Sequence, residues 1–288
     1  MTRVLTATTI AATRSPWAWL LLPGLIVVAL YAPLAPQLIQ EWLEFPNLSH
    51  GPAIPFIAGY LLWARRSRLA DLTPTPSLMG LPILVAGLAG LVTGVLGQES
   101  FIARMSLPIT LFGLTLFLAG REVGWLSWPA IAYLVFMIPL PWTTLKLLTY
   151  RSRLFDATLT ANIVSALGVP ILQDGVVLHL PNAALEVADE CSSVPAIAAL
   201  VALAIAYAVL MRRSRLQKGI LIAAGLPFAV ASNIIRLVTT VGGVYYIGTV
   251  TLRSVYHQFA GTVTFLLTLL LLIALDVLLN RSLQGRTG

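Results

Sequence analysis

The chain holds one cysteine, Cys191, in a setting that suits chemistry as well as packing. Ser192, Ser193 and Pro195 follow it, so the thiol stands at or just before a helix N-terminus, where amide N–H groups and the helix dipole favour thiolate. Asp189 and Glu190 precede it and oppose that effect, so a cationic partner is needed. Arg236 offers one, within the apolar stretch Ala231-Ser232-Asn233-Ile234-Ile235-Arg236-Leu237-Val238. A guanidinium in such a stretch is costly and faces a partner or a wet cavity. Asn233 lies one helical turn away on the same face, placed to hold the guanidinium or line a pocket. His257, in Tyr256-His257-Gln258-Phe259, opens the last apolar stretch and is suited to take the thiol proton and return it to a leaving amine. Thiol, guanidinium and imidazole at one depth are what thiol-based acyl transfer requires.

Each residue also has a plainer reading. An isolated cysteine packs like a small hydrophobe. Arg236 can pair with Glu190, and His257 can sit at an interface without a task. His50, in Ser49-His50-Gly51-Pro52, opens an apolar segment and is placed to line the same cavity, whereas His179 alternates along an expected strand and reads as a surface residue.

The elements that must carry these groups are membrane helices. The 288 residues are 58% hydrophobic and 10% charged, with mean hydropathy +0.89. A soluble domain carries roughly a quarter charged residues, and helices of about 20 apolar residues cross a bilayer. The expected fold is an all-α polytopic membrane protein, a single integral domain over 1–288 with about eight spans. They fall near 16–35, 51–64, 78–97, 101–119, 124–140, 194–211, 218–242 and 257–279, the first retained rather than cleaved. Arg3, Arg14, Arg65, Arg66, Arg68, Arg121, Arg212, Arg213, Arg215, Lys218, Arg281 and Arg286 gather in loops and tails on one side. They put both termini in the cytoplasm and the Cys191 end outside. The net charge of +7 therefore reports orientation, and no nucleic-acid partner is expected.

The long outer insert, 141–193, reads in two parts. Leu145, Leu148, Leu154, Phe155, Leu159, Ile163 and Leu167, interspersed with Lys146, Arg151, Arg153 and Asp156, predict an amphipathic helix lying in the interface. After Gly168 and Pro170, apolar runs on either side of Asp174-Gly175, and a third at Leu185 to Ala188, predict a small β meander delivering the chain to Cys191.

Other chemistries lack their residues. There is no Gly-x-Ser-x-Gly, no His-Glu-x-x-His, no phosphate-binding Gly-rich loop and no aspartate pair within a span. A single cysteine excludes an internal disulfide, three scattered histidines lack metal-ligand spacing, and no cofactor is expected. A non-enzymatic polysaccharide-export component or a small-solute transporter, with Arg236 lining a solute path, is the competing class.

Several motifs in order resemble the exosortase/archaeosortase family. They are Ser49-His50-Gly51 before a short span with Arg65-Arg66 after it, Leu185-Glu186-Val187-Ala188-Asp189-Glu190-Cys191-Ser192, Asn233-x-x-Arg236, and His257 with Gly261. The similarity runs over nearly the whole chain. It implies a polytopic transpeptidase of the bacterial inner membrane with Cys191, Arg236 and His257 as catalytic set; Asn233, Glu190, Ser192 and His50 are the substrate-binding or supporting candidates beside them. It further implies exported protein substrates ending in a short motif such as Pro-Glu-Pro, a transmembrane helix and a basic tail, often in systems linked to exopolysaccharide. Many members have Gly two residues after the cysteine and an arginine soon after. This chain departs from them with Ser193 and Val194-Pro195-Ala196.

Overall fold

A computed structural model describes residues 21–284 except 46–47, 212–213 and 253–254; side chains at 21, 190, 255–262, 264–265 and 282–284 are also outside the description. The chain is predominantly helical. In order come α1 (Leu21–Tyr31), α2 (Ala35–Glu44), α3 (Ala53–Trp63), α4 (Arg66–Ala70), α5 (Gly80–Leu96), α6 (Ser100–Ala119), α7 (Arg121–Tyr133) and α8 (Trp142–Ala166). Three short strands follow, β1 (Leu172–Asp174), β2 (Val177–Leu180) and β3 (Ala183–Glu186), then α9 (Ser193–Leu210), α10 (Arg215–Ile247) and α11 (Val255–Gln284).

Among the described residues four segments are long and apolar enough to cross a membrane: Leu22–Glu44, Ser100–Ala119, Ser193–Leu210 and Arg215–Ile247. The bent pair Arg121–Met137 and Trp142–Ala166, turning through 78°, brings that to five if it counts as one span. Each of the eight expected segments coincides with helix, but α3 and α5 have 11 and 17 residues and fall short of a full crossing by length. The start of the first expected span, and Arg3, Arg14, Arg212, Arg213 and Arg286, lie outside the described residues.

Packing follows the small residues. Gly80, Gly87 and Gly94 line the α5 face against α6, and a methyl group at any of them would overlap Phe117, Thr110 or Ala103. Backbones that approach this closely are how helices associate where lipid offers no hydrophobic drive. A second cluster joins α3, α7 and α9 through Ile54, Leu61, Tyr133, Ala202 and Ala206, with the Tyr133 hydroxyl donating to the Ala202 carbonyl at 3.1 Å. A third joins α9, α10 and α11 through Leu200, Ala204, Leu221, Ala229 and Leu272.

The helix α8 turns its small and polar residues inward, Asp156 among them, where the interfacial pattern sets Asp156 on the polar side. Its buried face is Thr149, Asp156, Ala157, Thr160, Ala161 and Val164, while Leu147, Leu148, Tyr150 and Phe155 point outward. None of the seven apolar residues expected to anchor it is buried. Small and polar residues pack against α9 and α10 and large apolar ones face away, the order that an apolar surround favours.

The strands form an antiparallel meander in the order β1-β2-β3, with Asp174 opposite Val177 across the Asp174-Gly175 turn and Leu180 opposite Ala183. Leu178 and Leu180 point inward and His179 outward. The inward pair meets Ala157 and Val164 of α8 and Leu237, Val241 and Val244 of α10. Asn182, in the β2–β3 turn, donates to the Val244 carbonyl at 2.9 Å. A Ser214–Gln217 capping box starts α10, which has 33 residues and runs roughly 50 Å, long enough for its far half to reach this sheet. Arg236 belongs to that half.

A part-buried ion pair ties α2 to α6. Arg104 meets Glu41 through both arms, Nη1 to Oε2 at 2.5 Å and Nη2 to Oε1 at 2.9 Å, at 4% and 22% side-chain exposure. Removing one partner of such a pair strands the other's charge. Glu41→Ala is expected to cost about 3–5 kcal/mol and to lower the melting temperature in detergent by about 10 °C, with Glu41→Gln costing less. An unchanged transition would show the pair to be dispensable.

Candidate functional site

The site is built where the meander hands the chain to α9. Arg153 of α8 donates to the Val187 carbonyl, to Glu186 at 2.6 Å and to Asp189 at 2.7 Å, fastening β3 and the residues after it. The negative charge of Asp189, expected to disfavour a thiolate at Cys191, is thereby matched by a cation. A short 3-10 turn, Asp189–Cys191, closes with the Cys191 N–H donating to the Ala188 carbonyl at 2.9 Å. Cys191 is half-buried and packs against the cluster of α8, meander and α10.

The residue after it caps α9 by backbone alone. Ser192 is extended at the N-cap with no side-chain capping bond, and its buried Oγ has no hydrogen-bond partner among the described residues. The cap comes instead from another helix. Asp156 of α8 accepts the Ser193 N–H at 2.8 Å and the Ser193 hydroxyl at 2.7 Å. The first amide of the helix is thereby occupied by a carboxylate. Pro195, at the third helical position, removes an amide that would lack a partner within the helix.

Asn233 draws the pieces together. Its Nδ2 donates to the Cys191 carbonyl at 2.9 Å and to Asp156 Oδ2 at 3.2 Å, and its Oδ1 accepts from Arg236 Nη2 at 2.8 Å. One amide of α10 thus joins the backbone of the cysteine turn to the guanidinium. Arg236 is half-buried, and Asn233 is 3% exposed.

His257 falls in the first turn of α11, but its side chain and that of Glu190 lie outside the described residues. His50 sits in the turn before α3, held by the Phe136 backbone, and burial lowers its pKa below 6.5. That contact leads to the α7 end, and among the described hydrogen bonds His50 does not join the Cys191 set.

A cavity of about 520 Å³ opens beside the cysteine turn, between α2, α6 and α8. Its walls include Glu41, Arg104, Trp142, Lys146, Thr149 and Asp189, with Lys146 Nζ 4.9 Å from the Trp142 ring centroid. Cys191 itself does not line it. No group of His, Cys, Asp and Glu among the described residues is arranged to hold a metal ion.

The interfacial-helix pattern sets Asp156 on the polar side and gives it no part in the site. The signal was there: an aspartate with Thr149, Ser152 and Thr160 at spacings of three and four, in a chain where ionisable side chains turn inward.

Comparison with curated proteins and with solved structures gives no match. The family model described as transmembrane exosortase (Exosortase_EpsH) matches residues 42–274, a stretch that includes Cys191, Asn233, Arg236 and His257. The chain belongs to the transmembrane exosortase family.

Proposed function

We propose that this protein is a cysteine transpeptidase that cuts the C-terminal sorting signal of exported proteins at the outer face of the bacterial inner membrane. The observation that carries the reading is the Asn233 amide, which fastens the turn of the sole cysteine and the Arg236 guanidinium to one side chain. Family membership supports the reaction class. The basic residues gathered in the loops support cytoplasmic termini and an outward-facing site.

In this reading the substrate's anchor helix docks against α9, α10 and α11, and its recognition motif, of the Pro-Glu-Pro kind, enters the cavity beside Asp189. His257 takes the Cys191 proton, and the sulfur attacks the scissile carbonyl. Arg236 stabilises the oxyanion of the tetrahedral intermediate. Collapse of that intermediate breaks the C–N bond, and the imidazolium returns its proton to the leaving amine, which departs with helix and tail. The thioester then passes to an amine, a lipid or water.

Membranes holding the protein and an exported protein that ends in a short motif, an apolar helix and a basic tail provide the test. The expected result is a covalent adduct at Cys191 that neutral hydroxylamine releases, together with a shortened product. Uncut substrate and no adduct across all such proteins of the source genome would move the chain to the export-component or transporter class.

A further inference from the structure

A carboxylate removed from water must find donors enough to hold its charge. Asp156 is 0% exposed and finds four: the Ser193 N–H and hydroxyl, the Ser152 hydroxyl at 3.2 Å, and Asn233 Nδ2. Ser152 shares its helix. The other three bonds reach α9 and α10, so one side chain pins both elements to α8 beside the cysteine turn.

The same bonds decide which way the Asn233 amide points. Asp156 Oδ2 also accepts the Ser193 N–H, and as an acceptor it requires Nδ2 on its side. The Cys191 carbonyl makes the same demand of the same nitrogen. Oδ1 is thereby turned to Arg236 Nη2. Flipping the amide would set its oxygen against two acceptors and its nitrogen against a guanidinium, three repulsive contacts in place of three bonds.

We propose that Asp156 is the positioning residue of the acyl-transfer site: it fixes the Asn233 amide in the orientation that tethers Arg236 and, through Ser193, holds the backbone that presents Cys191. The inference rests on the transpeptidase reading for its consequence in turnover. Its geometric half stands apart from that reading, because Cys191 is the chain's one thiol and maleimide labelling reports on it alone.

Asp156→Asn separates geometry from charge. Its Oδ1 can occupy the site that accepts Ser193 N–H, Ser152 and Asn233, while its amide donates to the Ser193 hydroxyl oxygen, which can rotate to accept. Asp156→Ala removes the whole clamp. The experiment measures substrate processing and the pH profile of Cys191 alkylation in detergent-solubilised protein at matched levels. Asp156→Ala is expected to lose about a hundredfold in processing and to move the alkylation midpoint by about half a pH unit or more, whereas Asp156→Asn stays within about fivefold of wild type with the wild-type profile.

Should the alanine variant fail to accumulate, Ser152→Ala combined with Ser193→Ala strips two donors from the same carboxylate and is expected to lose about tenfold in processing, with a shifted profile. Processing within threefold of wild type in the alanine variant or its stand-in, lost processing with an unmoved alkylation profile, or an asparagine variant as impaired as alanine would each overturn the proposal. If the wild type itself processes nothing, the transpeptidase reading fails separately, and the alkylation profiles alone decide whether Asp156 positions the cysteine.

Discussion

Cys191→Ala is expected to accumulate in the membrane at the wild-type level and to leave its substrate uncut, with processing down by roughly a thousandfold or more. The two halves of this result have separate causes. The side chain is small and half-buried, so losing one sulfur from the cluster formed by α8, the meander and α10 costs on the order of 1 kcal/mol, too little to unfold the chain. No second thiol exists to substitute for it. Cys191→Ser sharpens the assignment, because a hydroxyl is far less acidic than a thiol and a poor nucleophile beside an unchanged base. Any adduct it forms is an oxygen ester, which resists the neutral hydroxylamine that cleaves a thioester. Immunoblots of substrate in membranes from cells expressing each variant give the readout, and normal processing by Cys191→Ala would end the nucleophile assignment.

What the sequence revealed and what it hid divide along one physical line. Apolar runs and the Asp174-Gly175 pair report local structure, and helices and a three-stranded meander stand where those signals lie. The Asn233-x-x-Arg236 spacing put two polar groups on one face of α10, and the side chains are hydrogen-bonded. Asp156 stays hidden because the interfacial-helix pattern of α8 assigns its charged residues to water. Its apolar residues face outward, and its small and polar residues pack inward. The Glu41–Arg104 pair was hidden for another reason: 63 residues separate the partners, and no local pattern encodes their meeting. Pairing between distant elements is a property of the packed bundle, while orientation along one helix can be read from spacing once the surrounding medium is judged correctly.

Arg236 carries the second large effect. A guanidinium offers a planar set of N–H donors, and the bond from Nη2 to the Asn233 amide fixes the orientation of that plane. A preorganised donor aimed at a developing oxyanion acts on the transition state more than on bound substrate, so its loss appears in kcat. Arg236→Ala is expected to lower kcat by about a hundredfold to a thousandfold, with KM within about threefold of wild type. Arg236→Lys keeps the charge but replaces the fork with a single ammonium, and its kcat should fall by at least about tenfold. Added guanidinium ion should restore part of the alanine variant's activity, because the vacated space has the shape of the missing group, and should do nothing for the lysine variant. The opposite split, a raised KM with kcat preserved, would assign Arg236 to a carboxylate on the substrate and leave the oxyanion to backbone donors. Both outcomes keep the guanidinium in the site. Wild-type kinetics in Arg236→Ala would remove it.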